Sequence, residues 1–365
     1  MIADFLEKSI CELTGYGLFL TGIIMILVIQ IVYYLRLIFF KRKGNNQTEN
    51  PISIIVFVHN EESRIESYVK MLLQLDYSEF EVIIVDMFSE DNTLTILNAL
   101  ERKYPNLKAR NIKEGVRFTE KMAANIALKA ATYDWCVFLS PNYEKISPSY
   151  LKIINSGIAE DSTHIMNYCN YLPDKSGLLC RVERFFAFFS SAAYSISGMS
   201  LFYQQMNVTF KRQMYFDVDG FRGFLNLEFA NMELIFNQFR RVKTELTISS
   251  ETSLWETEQA GSSRFGELVK KRLSILRRLR WKKKIAIGLP NVAILLVVIG
   301  IGLLLFNNVN YWAYFLIPLA ILFVLQLVII KIFQNQINEK GIFFPSMIYL
   351  IIKPFINLYY SFKSR

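Results

Sequence analysis

The chain has 365 residues, of which 52% are hydrophobic, and its mean hydropathy is +0.26; that exceeds the needs of one α/β domain and excludes an ordinary soluble enzyme. The net charge of +9 is not spread evenly: between Arg264 and Lys284 ten Lys or Arg face one acid, Glu267, and the rest of the chain balances. One basic block beside an apolar run argues for a membrane surface and against nucleic acid as a partner.

Residues 1–15 carry Asp4, Glu7, Lys8 and Glu12 and read as a short non-cytoplasmic N-terminus. Tyr16 to Tyr34 is an uncharged apolar run of bilayer-spanning length, and residues 16–40 are assigned to one transmembrane helix. A cleaved signal peptide is not expected, because a positive n-region and a small-residue cleavage site are both missing. Arg36 and Lys41-Arg42-Lys43 follow the run, which puts its C-terminal end on the cytoplasmic side. Residues 41–51 form a polar linker that ends in Gly44 to Pro51.

Ile52 to Val58 is a short, continuous apolar run, the pattern of a strand buried on both faces. The polar stretch His59 to Ser63 leads into a helix that places Ile65, Tyr68, Val69, Leu72 and Leu73 on one face. A second buried strand, Glu81 to Val85, ends in Asp86, and Asp91 or Asn92 caps the helix that follows. This is a βαβ unit with parallel strands. Ligands of open parallel sheets sit at the carboxyl ends of the strands, which puts Asn60, Glu61 and Asp86 at the mouth of a site. Leu107 to Ile112 reads as a third strand and Trp135 to Leu139 as a fourth. Between them Thr119 to Ala131 reads as a helix with Met122, Ile126 and Ala130 on one face. The alternation predicts a doubly wound α/β half, within a cytoplasmic domain spanning 52–281.

Ile285 to Phe306 and Tyr311 to Ile330 are apolar runs separated by Asn307-Asn308-Val309-Asn310, so 282–333 is expected to be a transmembrane hairpin. Its basic flanks keep both ends cytoplasmic. Residues 334–365 include a further apolar run, Ile342 to Phe362, interrupted by Pro345, Lys353 and Pro354, and read as an interfacial segment. Cys11, Cys136, Cys169 and Cys180 show neither metal-ligand spacing nor a disulfide framework.

Several stretches together resemble family 2 glycosyltransferases. The first strand followed by His59-Asn60-Glu61-Glu62 is one, and Leu75-Asp76-Tyr77 running into Phe80-Glu81-Val82-Ile83-Ile84-Val85-Asp86 is another. Arg181 to Phe186, Ser195 to Gly198, Asn207 to Arg212 and Gly220-Phe221 are similar to a membrane-bound branch of that family. The resemblance covers roughly residues 50–260 and implies a GT-A fold: a Rossmann-like mixed sheet with flanking helices, here joined to transmembrane helices. It also implies a nucleotide-sugar donor, a Mg²⁺ or Mn²⁺ ion, and a glycan or lipid-linked acceptor; the apolar runs and the basic block add membrane lipid as a partner, and a protein partner is a further option.

The implied site residues depart from the family pattern in two places. The family's Asp-x-Asp, which binds ribose and metal, falls on Ser140-Pro141-Asn142. Ser140 and Asn142 can hydrogen-bond a ribose but lack the charge that a hard divalent ion prefers, so no metal ligands are assigned. The family's catalytic base falls near Ala230-Asn231-Met232-Glu233, where Glu233 is the one carboxylate; a helix-surface acid is its structural alternative. Asp86 matches the family's nucleotide-contacting acid, and Ser89 and Asp91 survive from the same loop. Lys121 matches a lysine that meets a phosphate, and Asn60 and Glu61 match the family turn. Their alternatives are a strand-end cap, a solvated helix lysine and residues that only shape the turn. His59 and His164 receive no firm role. Arg277, Arg280 and Trp281 fit the Arg-x-x-Arg-Trp pattern found near the acceptor in processive members, although a juxtamembrane interface collects the same residues. Taken together, the sequence points to an inner-membrane glycosyltransferase-like protein of envelope-glycan assembly that is non-catalytic or partner-dependent. The alternative is an active, metal-independent transferase.

Overall fold

The computed structural model describes residues 2–40, 48–113, 119–225, 227, 230–306 and 312–363. Most of the linker at 41–47 and the hairpin loop at 307–310 lie outside the described residues, as does the side chain of Cys11. The chain enters through one long helix, α1 (Ile2–Ile38), which among the described residues contains a stretch, Leu20–Ile38, long and apolar enough to cross a membrane.

The βαβ unit follows as β1 (Ile52–Val58), α2 (Ile65–Leu73) and β2 (Phe80–Asp86). Next come α3 (Thr93–Lys103), β3 (Leu107–Asn111), α4 (Thr119–Ala130) and β4 (Trp135–Leu139). Then α5 (Tyr150–Asn155), β5 (His164–Met166), β6 (Cys169–Tyr171), α6 (Leu178–Ile196) and β7 (Val208–Lys211) build the middle of the chain. Two short helices, α7 (Gln213–Phe216) and α8 (Met232–Phe236), precede β8 (Thr244–Leu246) and β9 (Leu254–Glu256). The C-terminal helices are α9 (Ser262–Arg278), α10 (Trp281–Phe306), α11 (Trp312–Gln336) and α12 (Phe343–Lys363).

Among the described residues the main sheet has seven strands in the order β3-β2-β1-β4-β7-β5-β8, and β6 pairs with β9 apart from it. β3, β2, β1 and β4 are parallel, while β7 runs antiparallel to both β4 and β5. The sheet is mixed, with helices on both faces. Period-2 alternation splits its side chains between two cores. Ile54, Val56, Ile84 and Leu139 face α2, α3 and α5, whereas Ile55, Phe57, Val85 and Phe138 face α4 and α6. All eight are buried, and each contributes roughly 1.5–3 kcal/mol.

The buried face of α4 is not the one that Met122, Ile126 and Ala130 share. Lys121, Ala123, Ala124, Ala127 and Leu128 point inward, and Met122 is exposed. The alanines let the helix backbone lie close to β1 and β2, so small size outweighed side-chain hydrophobicity in choosing the face.

Besides α1, α10 and α11 contain stretches long and apolar enough to cross a membrane, Trp281–Gly300 and Leu316–Gln336. Buried polar contacts fasten these helices to the domain. Lys283 at the start of α10 donates to the carbonyls of Ser200 (2.8 Å), Asn237 (3.1 Å) and Phe239 (2.9 Å). Beyond α11, Glu339 pairs with Arg181 of α6 and accepts from Tyr168 (2.5 Å) and Asn170 (2.9 Å).

Candidate functional site

Register places Val58 beside Asp86, so the loops after β1 and β2 leave the sheet together. Each turns through a left-handed residue, Asn60 (φ 54°) and Phe88 (φ 64°). Asparagine tolerates that conformation because its short side chain bonds locally. Here Asn60 Oδ1 accepts from Glu90 N (2.8 Å) and Asn60 N donates to Ser89 Oγ (2.9 Å). Asp86 is buried and accepts from the hydroxyl and the backbone N–H of Ser89. Glu61 N donates to Thr93 Oγ1 (2.8 Å), and Asp91 accepts from Glu62 N (3.1 Å) and Thr93 N (2.9 Å). The Thr93 hydroxyl and these N–H groups hold the Asp91 carboxyl below the usual range. Asp91 is thus the acid that caps α3.

The loop after β4 joins this network through a guanidinium. Arg64 donates to Glu61 (2.6 and 3.1 Å) and, from the same Nη2, to Asn142 Oδ1 (2.7 Å). Ser140 Oγ accepts from Asn142 N (3.2 Å), and Ser140 O accepts from the Tyr68 hydroxyl (2.7 Å). These donors do not fit a hard divalent ion. Ser140 and Asn142 are neutral, and the Asn142 oxygen already faces a cation. Among the described residues no cluster of His, Cys, Asp and Glu could hold a metal ion.

A cleft of about 490 Å³ opens beside these loops. Glu61, Ser140 and Asn142 line it at the strand ends; Glu120, Arg184, Glu256 and Lys271 complete the lining as a second, charged wall. Glu233 is fully buried behind that second wall, 2.5 Å from Lys271 Nζ. Its other oxygen accepts from Asn231 N (3.0 Å), so it closes the first turn of α8. The Asn231 side chain donates to Glu120. Lys121 is buried on the inner face of α4 and donates to the carbonyl of Leu227. Burial lowers its pKa, against the opposing pull of Glu120 and Glu233.

Of the sequence-proposed residues, the structure therefore brings Glu61, Ser140 and Asn142 to the cleft. Asn60 and Asp86 shape its rim through hydrogen bonds, and Lys121 and Glu233 lie inside the wall. Arg277, Arg280 and Trp281 sit elsewhere, at the α9–α10 junction. Arg277 donates to Ser361 O (3.3 Å), Arg280 lines a separate cavity of about 170 Å³, and Trp281 is 66% exposed.

Sequence reasoning missed the second wall. Arg184 makes a two-point bond to Glu256 (2.9 and 3.1 Å) and stacks 4.3 Å over the Tyr171 ring. Arg264 donates to the Tyr171 hydroxyl (3.1 Å), and Arg272 pairs with Glu183 (2.5 Å). Arg184 and Glu183 fell in a stretch singled out only for its resemblance; Glu256 and Tyr171 end three-residue strands that leave no periodic signal.

Residues 53–141 match the family model described as glycosyl transferase family 2. The chain is similar to the mannosyltransferase PcManGT from Pyrobaculum calidifontis, solved with GDP-Man and Mn²⁺: identity is 15%, coverage is 93% of this chain and 99% of that one, and the TM-score is 0.50. It is also similar to S. aureus TarS 1–349 in complex with UDP-GlcNAc, at 16% identity over 67% of this chain and 71% of that one, with a TM-score of 0.44. No curated protein matches the chain significantly. At these identities the structural likeness is one of fold. The chain has a family 2 glycosyltransferase-like, GT-A fold with membrane-span-length helices attached.

Proposed function

We propose that this GT-A-type chain is a membrane-anchored, nucleotide-binding member of a glycan-assembly system that does not itself carry out metal-assisted sugar transfer and acts with a partner. The domain is placed on the cytoplasmic face, because the basic block from Arg264 to Lys284 adjoins α10. The observation that carries this reading is the position of Glu233. Transfer needs a base within reach of the acceptor hydroxyl, a contribution of about 10²–10⁴ in rate. Glu233 is fully buried, neutralised by Lys271 and spent on a helix cap, while Asn231 beside it has no basic group. At the strand ends Arg64 stands against Asn142, and removing the charge that stabilises a departing diphosphate typically costs several kcal/mol. The rim itself is intact: Asn60, Asp86 and Ser89 keep the two loops in one hydrogen-bonded frame, open to a nucleotide.

A second reading, metal-independent transfer, is favoured by one observation. Glu120 lines the cleft and holds Asn231 at the expected base position. A Glu120→Gln variant separates the two, since it abolishes turnover in the second reading and changes nothing catalytic in the first.

Calorimetry with UDP and GDP on the detergent-purified chain tests the proposal, in Mn²⁺ and in EDTA. One nucleotide is expected to bind equally in both, with no release of sugar from its nucleotide-sugar. Binding that requires Mn²⁺ together with sugar release would contradict it, and the absence of any binding would overturn the nucleotide assignment.

A further inference from the structure

The helix α12 has its polarity reversed for a helix in water. Phe344, Ile348, Ile351, Phe355, Leu358 and Phe362 recur in steps of four and three and are 44–75% exposed. Such spacing makes one continuous apolar stripe. Of its polar side chains, Ser346, Lys353 and Asn357 point the other way, into the protein. Ser346 Oγ accepts from Gln334 (3.1 Å), Asn357 Oδ1 accepts from Arg272 (2.8 Å), and Lys353 lies 5.5 Å over the Phe186 ring.

Three features identify what covers the stripe. First, α12 packs on α10 and α11, which carry exposed apolar side chains along stretches of membrane-crossing length, so the stripe continues their lipid-facing surface. Second, Gly341 to Arg365 contains Lys353, Lys363 and Arg365 but no acid, the charge balance of a segment lying against phospholipid headgroups. Third, α12 is tied to the domain along its length. The Tyr349 hydroxyl donates to Glu183 of α6, Arg272 of α9 reaches Asn357, and the Tyr360 and Phe265 rings meet with centroids 6.3 Å apart. A helix held against the domain at positions 349, 357 and 360 runs beneath it and does not cross away from it.

We propose that the outer face of α12 is a lipid-embedded surface: the helix lies along the bilayer at the boundary between headgroups and acyl chains, and its inner face braces the cleft. The brace is direct, because Glu183 and Arg272 both line the cleft and both bond to α12. The membrane is thereby a structural element of the site's floor. This assignment does not depend on whether the cleft takes a nucleotide.

The test uses the full chain in phospholipid nanodiscs, with Cys11→Ser as background because Cys136, Cys169 and Cys180 are buried. Ile348→Cys, Ile351→Cys, Phe355→Cys and Leu358→Cys each receive a nitroxide, and Arg102→Cys on the exposed domain surface is the control. Collision rates with oxygen and with a water-soluble nickel chelate are measured. All four α12 labels are expected to favour oxygen several-fold over the control, at one common depth. Preference for the nickel chelate would put the stripe in water, low collision with both reagents would put a second copy or another protein on it, and a depth that changes steadily along the helix would make it a span. Each of these three results overturns the proposal.

Discussion

The two walls of the cleft are built on opposite principles. The strand-end wall is a lattice of neutral groups, Asn60, Ser89 and Asn142, with the partly exposed Arg64–Glu61 pair and one buried acid, Asp86, that holds Ser89. The second wall is built from pairs with at least one deeply buried charge, Glu233–Lys271, Glu183–Arg272 and Glu256–Arg184. An exposed pair is worth little and can be exchanged for a ligand, whereas a buried charge is strongly committed to its partner. The difference teaches that the first wall can receive a guest and that the charges of the second hold the protein together.

That contrast can be broken in four places. Removing one partner of a buried pair has the largest expected effect. Lys271→Met leaves the Glu233 charge buried and is expected to destabilise the chain by about 3–5 kcal/mol. The double variant Lys271→Met with Glu233→Leu should recover most of the loss in denaturant unfolding. A Glu233 that works as a base would instead show normal stability and lost activity in the Glu233→Leu variant.

Acid comes next. His164 is fully buried between Phe202 and Phe236, the latter in α8, and burial pushes its pKa down to about 3. The unfolded chain takes up that proton near pH 6.5 while the folded chain refuses it. Stability is therefore whole above pH 6.5 and falls as the pH drops toward 3, by about 2 kcal/mol at pH 5. Melting curves at pH 7 and pH 5 should show the loss, and His164→Phe should flatten it.

The strand-end wall is expected to respond less. Asp86→Ala frees Ser89 and should cost about 1–2 kcal/mol, with weaker nucleotide binding as the larger symptom in titration calorimetry. Arg64→Ala removes a partly exposed pair and should shift stability by no more than about 1 kcal/mol. A loss from Arg64→Ala as large as that from Lys271→Met would erase the distinction between the walls.

Much of the first wall was legible in the sequence, and almost none of the second. Ile52–Val58 and Phe80–Asp86 are nearly unbroken apolar runs, and a strand buried on both faces has no other way to look. The loop residues follow once those strands are placed, because parallel strands put their carboxyl ends together. The helix α4 shows the limit: its inner face is alanine and one lysine, so periodicity of large apolar groups favoured Met122 instead. In the second wall Tyr171, Glu256 and Glu233 come from β6, β9 and α8, with three to five residues each, too short for any period to register, while their partners Arg184 and Lys271 come from the long helices α6 and α9. Its partners also lie far apart in the chain. Glu256 meets Arg184 from 72 residues away, and Lys271 of α9 meets Glu233 of α8. Isolated charged residues become readable when the fold pairs them.

The central claim is that the cleft takes its ligand without a divalent ion. The most direct measurement is a Mn²⁺ titration followed by electron paramagnetic resonance, with the chain and UDP or GDP present and with nucleotide alone as reference. The account predicts that the free Mn²⁺ signal falls no further with the chain than with nucleotide alone. One additional Mn²⁺ retained per chain would contradict it and would mean that Ser140, Asn142 and Arg64 rearrange to admit the metal.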